Sequence, residues 1–288
     1  MAVFAEALHY FPKMEDGIKK CPVEGVHYFK ETFHKEVEPS VYPAGLCIML
    51  SGTKRIVFDE KSFSYGAGEY VVCSMMMPLK CEIIANHKEP VKGIFVGFSA
   101  NDIRELVEIM GLKEQVENDK SLPSPIGPSV MSSDFKSSIL RFLSCLANEK
   151  DAQILGQSMR REVLYRALCG EQSHLLLKLG LKTGPFVEIS NIIEMLQDNY
   201  NKEIDINGLA DKANLSVSSF YRLFRQVTSD TPIQYVKKLR LNRARDLIVL
   251  ENVKACAAAM EVGYESVSQF TREFKRYFGV TPATLKIS

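Results

Sequence analysis

The sequence predicts an α+β chain. A small β-barrel with packed helices comes first, followed by an all-α part in which two helix-turn-helix units are joined by a long helix. Three observations carry this prediction. Short runs of β-forming residues separated by turn signals fill the stretch from about Tyr42 to Phe98. After Ser99 the apolar residues fall at helical spacing. Near the carboxy end one pattern occurs twice: Ser218-Ser219-Phe220-Tyr221-Arg222-Leu223-Phe224-Arg225 is answered 50 positions later by Ser268-Gln269-Phe270-Thr271-Arg272-Glu273-Phe274-Lys275.

The strand runs are Leu46-Cys47-Ile48-Met49-Leu50, Ile56-Val57-Phe58, Tyr70-Val71-Val72-Cys73 and Ile94-Phe95-Val96. Ser51-Gly52, Asp59-Glu60-Lys61 and Gly66-Ala67-Gly68 supply the turns. Strands this short and this closely spaced make a small barrel or a sandwich, and a barrel interior can hold one small ligand. Ser99-Ala100-Asn101-Asp102 reads as a capping box before Ile103, Leu106, Val107 and Met110. Leu122 to Pro128 holds three prolines and reads as a loop. Helices are expected over about Asp134–Asn148 and Asp151–Leu179, as core packing or as a dimer surface. Gly180 to Pro185 is a Gly/Pro/Lys break. It divides the chain into residues 1–180, a linker over 181–186, and residues 187–288.

In the first repeated unit Asp205 caps a helix whose inner face is Ile206, Leu209, Ala210 and Ala213. Asn214-Leu215 makes the turn, and Ser216 caps a second helix that buries Phe220, Leu223 and Phe224. In the second unit Ala255 to Val262 is the first helix, Gly263 the turn and Ser266 the cap. Phe270 and Phe274 are buried there. The small residues Ala210 and Ala213 let the paired helices cross closely. Between the units, Pro232 to about Leu250 reads as one helix, and nineteen residues at ~1.5 Å rise span roughly 28 Å, near the ~34 Å of one DNA turn. Its Lys237, Lys238, Arg240, Arg243 and Arg245 are either phosphate contacts or a wet face.

Charge supports a polyanionic partner. From Ser216 onward there are twelve Lys+Arg against six Asp+Glu, a net +6. The whole chain carries only +1, so the rest must carry −5. In such units the second helix enters the major groove and its early exposed residues meet base edges. The base-contacting candidates are Ser218, Ser219, Tyr221 and Arg222 in the first copy and Ser268, Gln269, Thr271 and Arg272 in the second. Arg225, Gln226, Lys275 and Arg276 lie further along and are the phosphate candidates. Gln269, three residues after Ser266, can instead complete a capping box.

These residues resemble the AraC/XylS family of bacterial transcription regulators. Leu209-Ala210-x-x-Ala213, Ala259-x-x-Val262-Gly263-Tyr264 and Phe270-x-Arg272-x-Phe274-Lys275-Arg276-x-Phe278-Gly279-Val280-Thr281-Pro282 carry the likeness over about Val187 to Ser288. An Arg usual after the Thr-Pro is absent, and Leu285-Lys286 stands near the end. More loosely, Tyr42-Pro43, Leu50 to Lys54, Phe63 to Tyr70 and Ser74-Met75-Met76-Met77-Pro78 resemble the cupin-like sensor domain of one branch. The resemblance implies a regulator, by tendency an activator engaging RNA polymerase. Its carboxy part binds double-stranded promoter DNA. Its amino-terminal barrel takes a small effector or partner and forms a homodimer.

Other functions are weaker. His27, His34 and His87 lack the His-x-His spacing of metal-dependent cupins, and no metal or other cofactor is expected. No Cys cluster fits a DNA-repair methyl acceptor. A thiol-based redox or aldehyde sensor would draw on Cys47, Cys73 and Cys81, although buried Cys more often fills apolar space. Met75-Met76-Met77 either lines an adaptable pocket or packs the core. Seven scattered Cys point to a reducing compartment. With no apolar leader and no run approaching ~18 apolar residues, a cytoplasmic protein away from the membrane is expected.

Overall fold

The computed structural model describes residues 2–112, 122–181 and 184–285. Lys182, Thr183 and Lys286 lie outside them. The amino-terminal part holds two antiparallel sheets. Sheet one has the order β1-β2-β9-β4-β7-β10, and sheet two the order β3-β8-β5-β6. The strands are β1 (Gly17–Lys20), β2 (Val26–Glu31), β3 (Lys35–Tyr42), β4 (Gly45–Ser51), β5 (Thr53–Phe58), β6 (Lys61–Gly66), β7 (Glu69–Cys73), β8 (Met77–Ile84), β9 (Val91–Gly97) and β10 (Ile126–Val130). The sheets face each other and do not close into the expected barrel. The reason lies at the β4–β5 corner. β4 bonds β7 and β9 in sheet one, whereas β5 bonds β6 and β8 in sheet two. The chain changes sheet at Gly52, which has φ +70°, and a Cβ there would lie 2.7 Å from the Val91 Cα.

β4, in the middle of sheet one, is buried on both sides, so it reads as an unbroken apolar run. Leu46, Ile48 and Leu50 face a helical layer together with Tyr28, Tyr70, Val72, Ile94 and Val96. Cys47 and Met49 face sheet two and meet Tyr42, Ile56, Tyr65, Leu79 and Cys81. The helical layer comprises α1 (Ala2–His9), α2 (Ala100–Ile109), α3 (Ser133–Leu146), α4 (Glu149–Leu168) and α5 (Ser173–Leu179). The Ser99–Asp102 capping box forms as expected. The helix expected over Asp151–Leu179 breaks at Gly170, where a Cβ would sit 2.3 Å from the Tyr70 hydroxyl. The Pro-rich segment, expected as loop, contributes β10, an edge strand on β7; a Pro at position 128 is tolerated at an edge.

The carboxy part is helical: α6 (Pro185–Asp198), α7 (Ile206–Lys212), α8 (Val217–Thr228), α9 (Pro232–Val249), α10 (Ala255–Glu261) and α11 (Val267–Phe278). Met75, Met77 and the inner face of sheet two share one apolar cluster with Phe220, Phe224, Tyr235 and Val236. The sheet interior and the first helical unit are therefore continuous. At this junction the Tyr235 hydroxyl donates to the Met76 carbonyl at 2.7 Å and Arg245 donates to the Pro39 carbonyl at 2.8 Å.

Candidate nucleic-acid interface

The two units fold alike because their local signals are alike. α8 and α11 each run 12 residues, each starts at a serine (Ser216 or Ser266) whose side chain accepts from the third backbone N–H, and each ends on a left-handed residue, Ser229 or Gly279. The turns before them hold Asn214 at φ 52° and Gly263 at φ +86°. Ala210, Ala213, Phe220 and Phe224 form the buried core of the first unit, and Phe270 and Phe274 with Ala258, Ala259 and Val262 that of the second. In each unit the phenylalanine pair stacks edge-on or tilted, with ring centroids 5.7 Å apart in the first and 5.3 Å in the second.

The opposite faces of α8 and α11 are wet. Ser218, Arg222, Arg225, Gln226, Ser268, Gln269, Arg272, Lys275 and Arg276 are exposed; Ser219, Tyr221 and Thr271 are half-buried. An open groove is lined by Tyr221, Arg222, Arg225, Gln226 and Thr231. Among the described residues Arg222, Arg225, Arg272, Lys275 and Arg276 carry no ion pair. The cations of α9 differ. Lys237 pairs with Glu273 at 3.0 Å, Lys238 with Asp230 at 2.7 Å and Arg243 with Glu251 at 2.9 Å. Arg240 is spent on three carbonyls, those of Tyr200, Gly263 and Lys202. Protein groups thus engage these α9 cations, whereas the five cations named on the two repeated helices carry no ion pair among the described residues.

Four candidate side chains are not free, and one of them is Ser218, whose hydroxyl lies 3.3 Å from that of Ser216. Ser219 accepts from the Ser216 hydroxyl at 3.0 Å, and the Thr271 hydroxyl donates to the Val267 carbonyl at 2.9 Å. Gln269 donates through Nε2 to Glu273 Oε1 at 3.2 Å, while its backbone N–H reaches Ser266. Burial works to raise the Glu273 carboxyl, but hydrogen bonds from Lys237, Gln269 and Tyr264 outweigh it and hold the group below the usual carboxylate range. Sequence reasoning missed Glu273 as the anchor of Gln269, although the i, i+4 spacing carried that signal.

Elsewhere, His34, Glu36 and Glu82 come together on the surface, but Arg55 lies 2.6 Å from Glu82 and opposes a second cation there. Cys47, Cys73 and Cys81 are buried, and burial pushes the Cys73 and Cys81 thiols up. No helix of the described residues is long and apolar enough to cross a membrane.

Comparison with known proteins agrees with this geometry. A model of the AraC-type transcriptional regulator N-terminus matches residues 22–175, and a helix-turn-helix domain model matches residues 209–286. The Msm operon regulatory protein of Streptococcus mutans is 30% identical over 243 residues, covering 83% of this chain and 82% of that protein. The HTH-type transcriptional regulator GbdR of Pseudomonas aeruginosa is 27% identical over 138 residues, and that match spans only 38% of its length. In fold, the chain resembles unsaturated fatty acid-bound ToxT from Vibrio cholerae, with a TM-score of 0.60 over 93% of this chain and 95% of that one at 10% identity. The chain belongs to the AraC family of helix-turn-helix DNA-binding transcriptional regulators.

Proposed function

We propose that this regulator sets α8 and α11 into successive major grooves of one promoter. In this reading Ser218, Ser219, Tyr221, Arg222, Ser268, Gln269, Thr271 and Arg272 meet bases, and Arg225, Gln226, Lys275 and Arg276 hold phosphates. Residues 187–288 bind DNA, 181–186 link, and 1–180 sense a small effector and pair with a second copy; the bound regulator acts as an activator that engages RNA polymerase. One observation carries the proposal: two 12-residue helices with the same cap each present an unpaired, exposed arginine at the same position, Arg222 and Arg272. Arg reads guanine through two parallel hydrogen bonds. A regulator of the same fold solved with a fatty acid bound supports the reading of a small effector.

Binding-site selection with the wild type, Arg222→Ala and Arg272→Ala tests it. Each substitution should cost about 1–3 kcal/mol at the cognate site and relax preference at one base pair per half-site. Affinity should fall steeply with salt. Unchanged selectivity in both variants would reject the assignment. The thiol-sensor alternative gains nothing from Cys73 and Cys81, whose thiols burial pushes up.

A further inference from the structure

Val217 and Val267 are the first residues of α8 and α11, and they are 39% and 41% exposed. Neither is explained by the helix it opens. A hydrophobic staple joins the residue before the cap to the fourth residue of the helix, Leu215 and Phe220 in the first unit, and leaves the first residue out. Valine is also a poorer helix former than alanine. A single exposed apolar side chain needs no explanation, but this one occurs twice at one position. Set side by side, the two helices differ at Ser219 and Gln269, at Tyr221 and Thr271, at Leu223 and Glu273, at Arg225 and Lys275, and at Gln226 and Arg276. Apart from the buried phenylalanines, they share Val217-Ser218 with Arg222 and Val267-Ser268 with Arg272.

Position along the helix says what these valines meet. Val217, Tyr221 and Arg225 stand at i, i+4 and i+8, as do Val267, Thr271 and Lys275. Each row thus begins apolar and ends on a cation with no ion pair among the described residues. Tyr221 and Arg225 line the open groove on α8. A helix lying in the major groove turns its first residues to base edges, whereas cations further along hold phosphates. The apolar group that base edges offer there is the C5-methyl of thymine. We infer that Val217 and Val267 are specificity residues, each packing on the methyl group of one thymine. Five residues at ~1.5 Å rise set each valine roughly 7.5 Å along the helix from its arginine, about two base steps of ~3.4 Å. Each half-site therefore carries a thymine about two base pairs from the guanine that Arg222 or Arg272 reads. This inference rests on the proposed placement of the two helices in successive grooves. It adds a second kind of base contact and the base that it selects.

The test uses the full chain and the site that binding-site selection returns. Each thymine of that site is replaced in turn by deoxyuridine, which removes the C5-methyl and keeps every hydrogen-bonding group. Wild-type affinity should fall about fourfold at one thymine in each half-site, the worth of one methyl group taken out of water. Val217→Ala should make one half-site indifferent to the replacement, and Val267→Ala the other. Alanine favours the helix, so both variants should keep the fold, which circular dichroism checks. The inference is overturned if no thymine responds to loss of its methyl, or if both alanine variants keep the wild-type response. Selection with Arg222→Ala and Arg272→Ala separates the two ideas. Altered guanine preference in those variants without any methyl response sinks the valine contacts alone. Methyl responses that vanish in the valine variants support the contacts whatever the arginine variants do. A wild type that selects no sequence sinks both.

Discussion

Arg240 of the connecting helix donates to the carbonyl of Gly263, the turn residue of the second unit, at 3.0 Å. The same guanidinium reaches the Tyr200 carbonyl at 2.6 Å and the Lys202 carbonyl at 2.7 Å, just beyond the end of α6. One planar group thus braces three segments, and burial is the main influence lowering its pKa. A lysine ammonium has three donors but lacks the flat, forked geometry. Arg240→Lys should therefore cost about 2 kcal/mol in urea unfolding. Binding to a site with both grooves should weaken more than binding to either half alone, because the brace fixes how the two reading helices stand to each other. Equal losses on whole and half sites would show that Arg240 serves stability only.

Gly263 carries a second constraint. It has φ +86°, and a Cβ there would lie 2.2 Å from the backbone carbonyl oxygen of Asn201. Gly279 shares the left-handed conformation at φ +80° but has open space around it. Gly279→Ala should cost about 1 kcal/mol, the backbone penalty alone. Gly263→Ala should cost clearly more, beyond about 2 kcal/mol, because backbone must also move. Paired denaturation curves check the difference, and equal midpoints would contradict the clash.

The repeated unit was legible because its signals are local. Ser216, Asn214, Ser266 and Gly263 each announce a cap or turn within a few residues, and the phenylalanine pairs mark the buried face. β4, β5, β7 and β9 were legible for the same reason. The first three strands and β10 were not. β1 is exposed along most of its length and β3 over its first half, so neither shows an apolar run. β10 contains Pro128, which normally argues against a strand. Closure of the barrel was also beyond local reading, because it depends on which strands pair at the β4–β5 corner. The roles of Arg240, Lys237 and Arg245 depended on partners up to 206 residues away, which no window of sequence displays.

Glu273 should act as a positioning residue for Gln269. Its carboxylate takes one Nε2 hydrogen of Gln269, so the Oε1 atom and the second hydrogen remain for a base, the pair that adenine requires. Glu273→Gln can leave Gln269 free to flip. Selection experiments should then lose preference at one base pair while overall affinity for a degenerate site holds. A uniform drop across all sequences would indicate a structural role. The pH dependence has a defined sign. The folded-state pKa of Glu273 lies below the unfolded value, so its contribution is present above the unfolded pKa and lost as pH falls through the folded one. Glu273→Gln should therefore flatten the acid limb of the stability profile, which urea titrations between pH 3 and 6, around the ~4.3 of a free glutamate, can measure.

Thiol reactivity should follow burial. Cys169 and Cys256 are exposed, Cys21 is half-buried with its pKa pushed up to about 12, and Cys47, Cys73, Cys81 and Cys145 are buried. A maleimide should label Cys169 and Cys256 in the native chain at neutral pH and reach the others only on unfolding. Rapid native labelling of Cys47 or Cys81 would reopen thiol sensing.

The contact of Tyr235 with Met76 joins sheet interior and reading unit, and the two should unfold as one cooperative body. The Tyr235 ring is fully buried, packs edge-on against Phe224 with centroids 5.5 Å apart, and bonds the β7–β8 corner through its hydroxyl. Removing the hydroxyl alone leaves the carbonyl of half-buried Met76 without this donor, so Tyr235→Phe should cost about 1 kcal/mol and keep a single calorimetric transition. Tyr235→Ala also removes the ring that joins the two parts of the cluster, at about 3–5 kcal/mol. Calorimetry should then resolve two transitions, one for the sheets with their helical layer and one for the helical units. Should the wild type itself melt in two steps, the junction does not couple the parts.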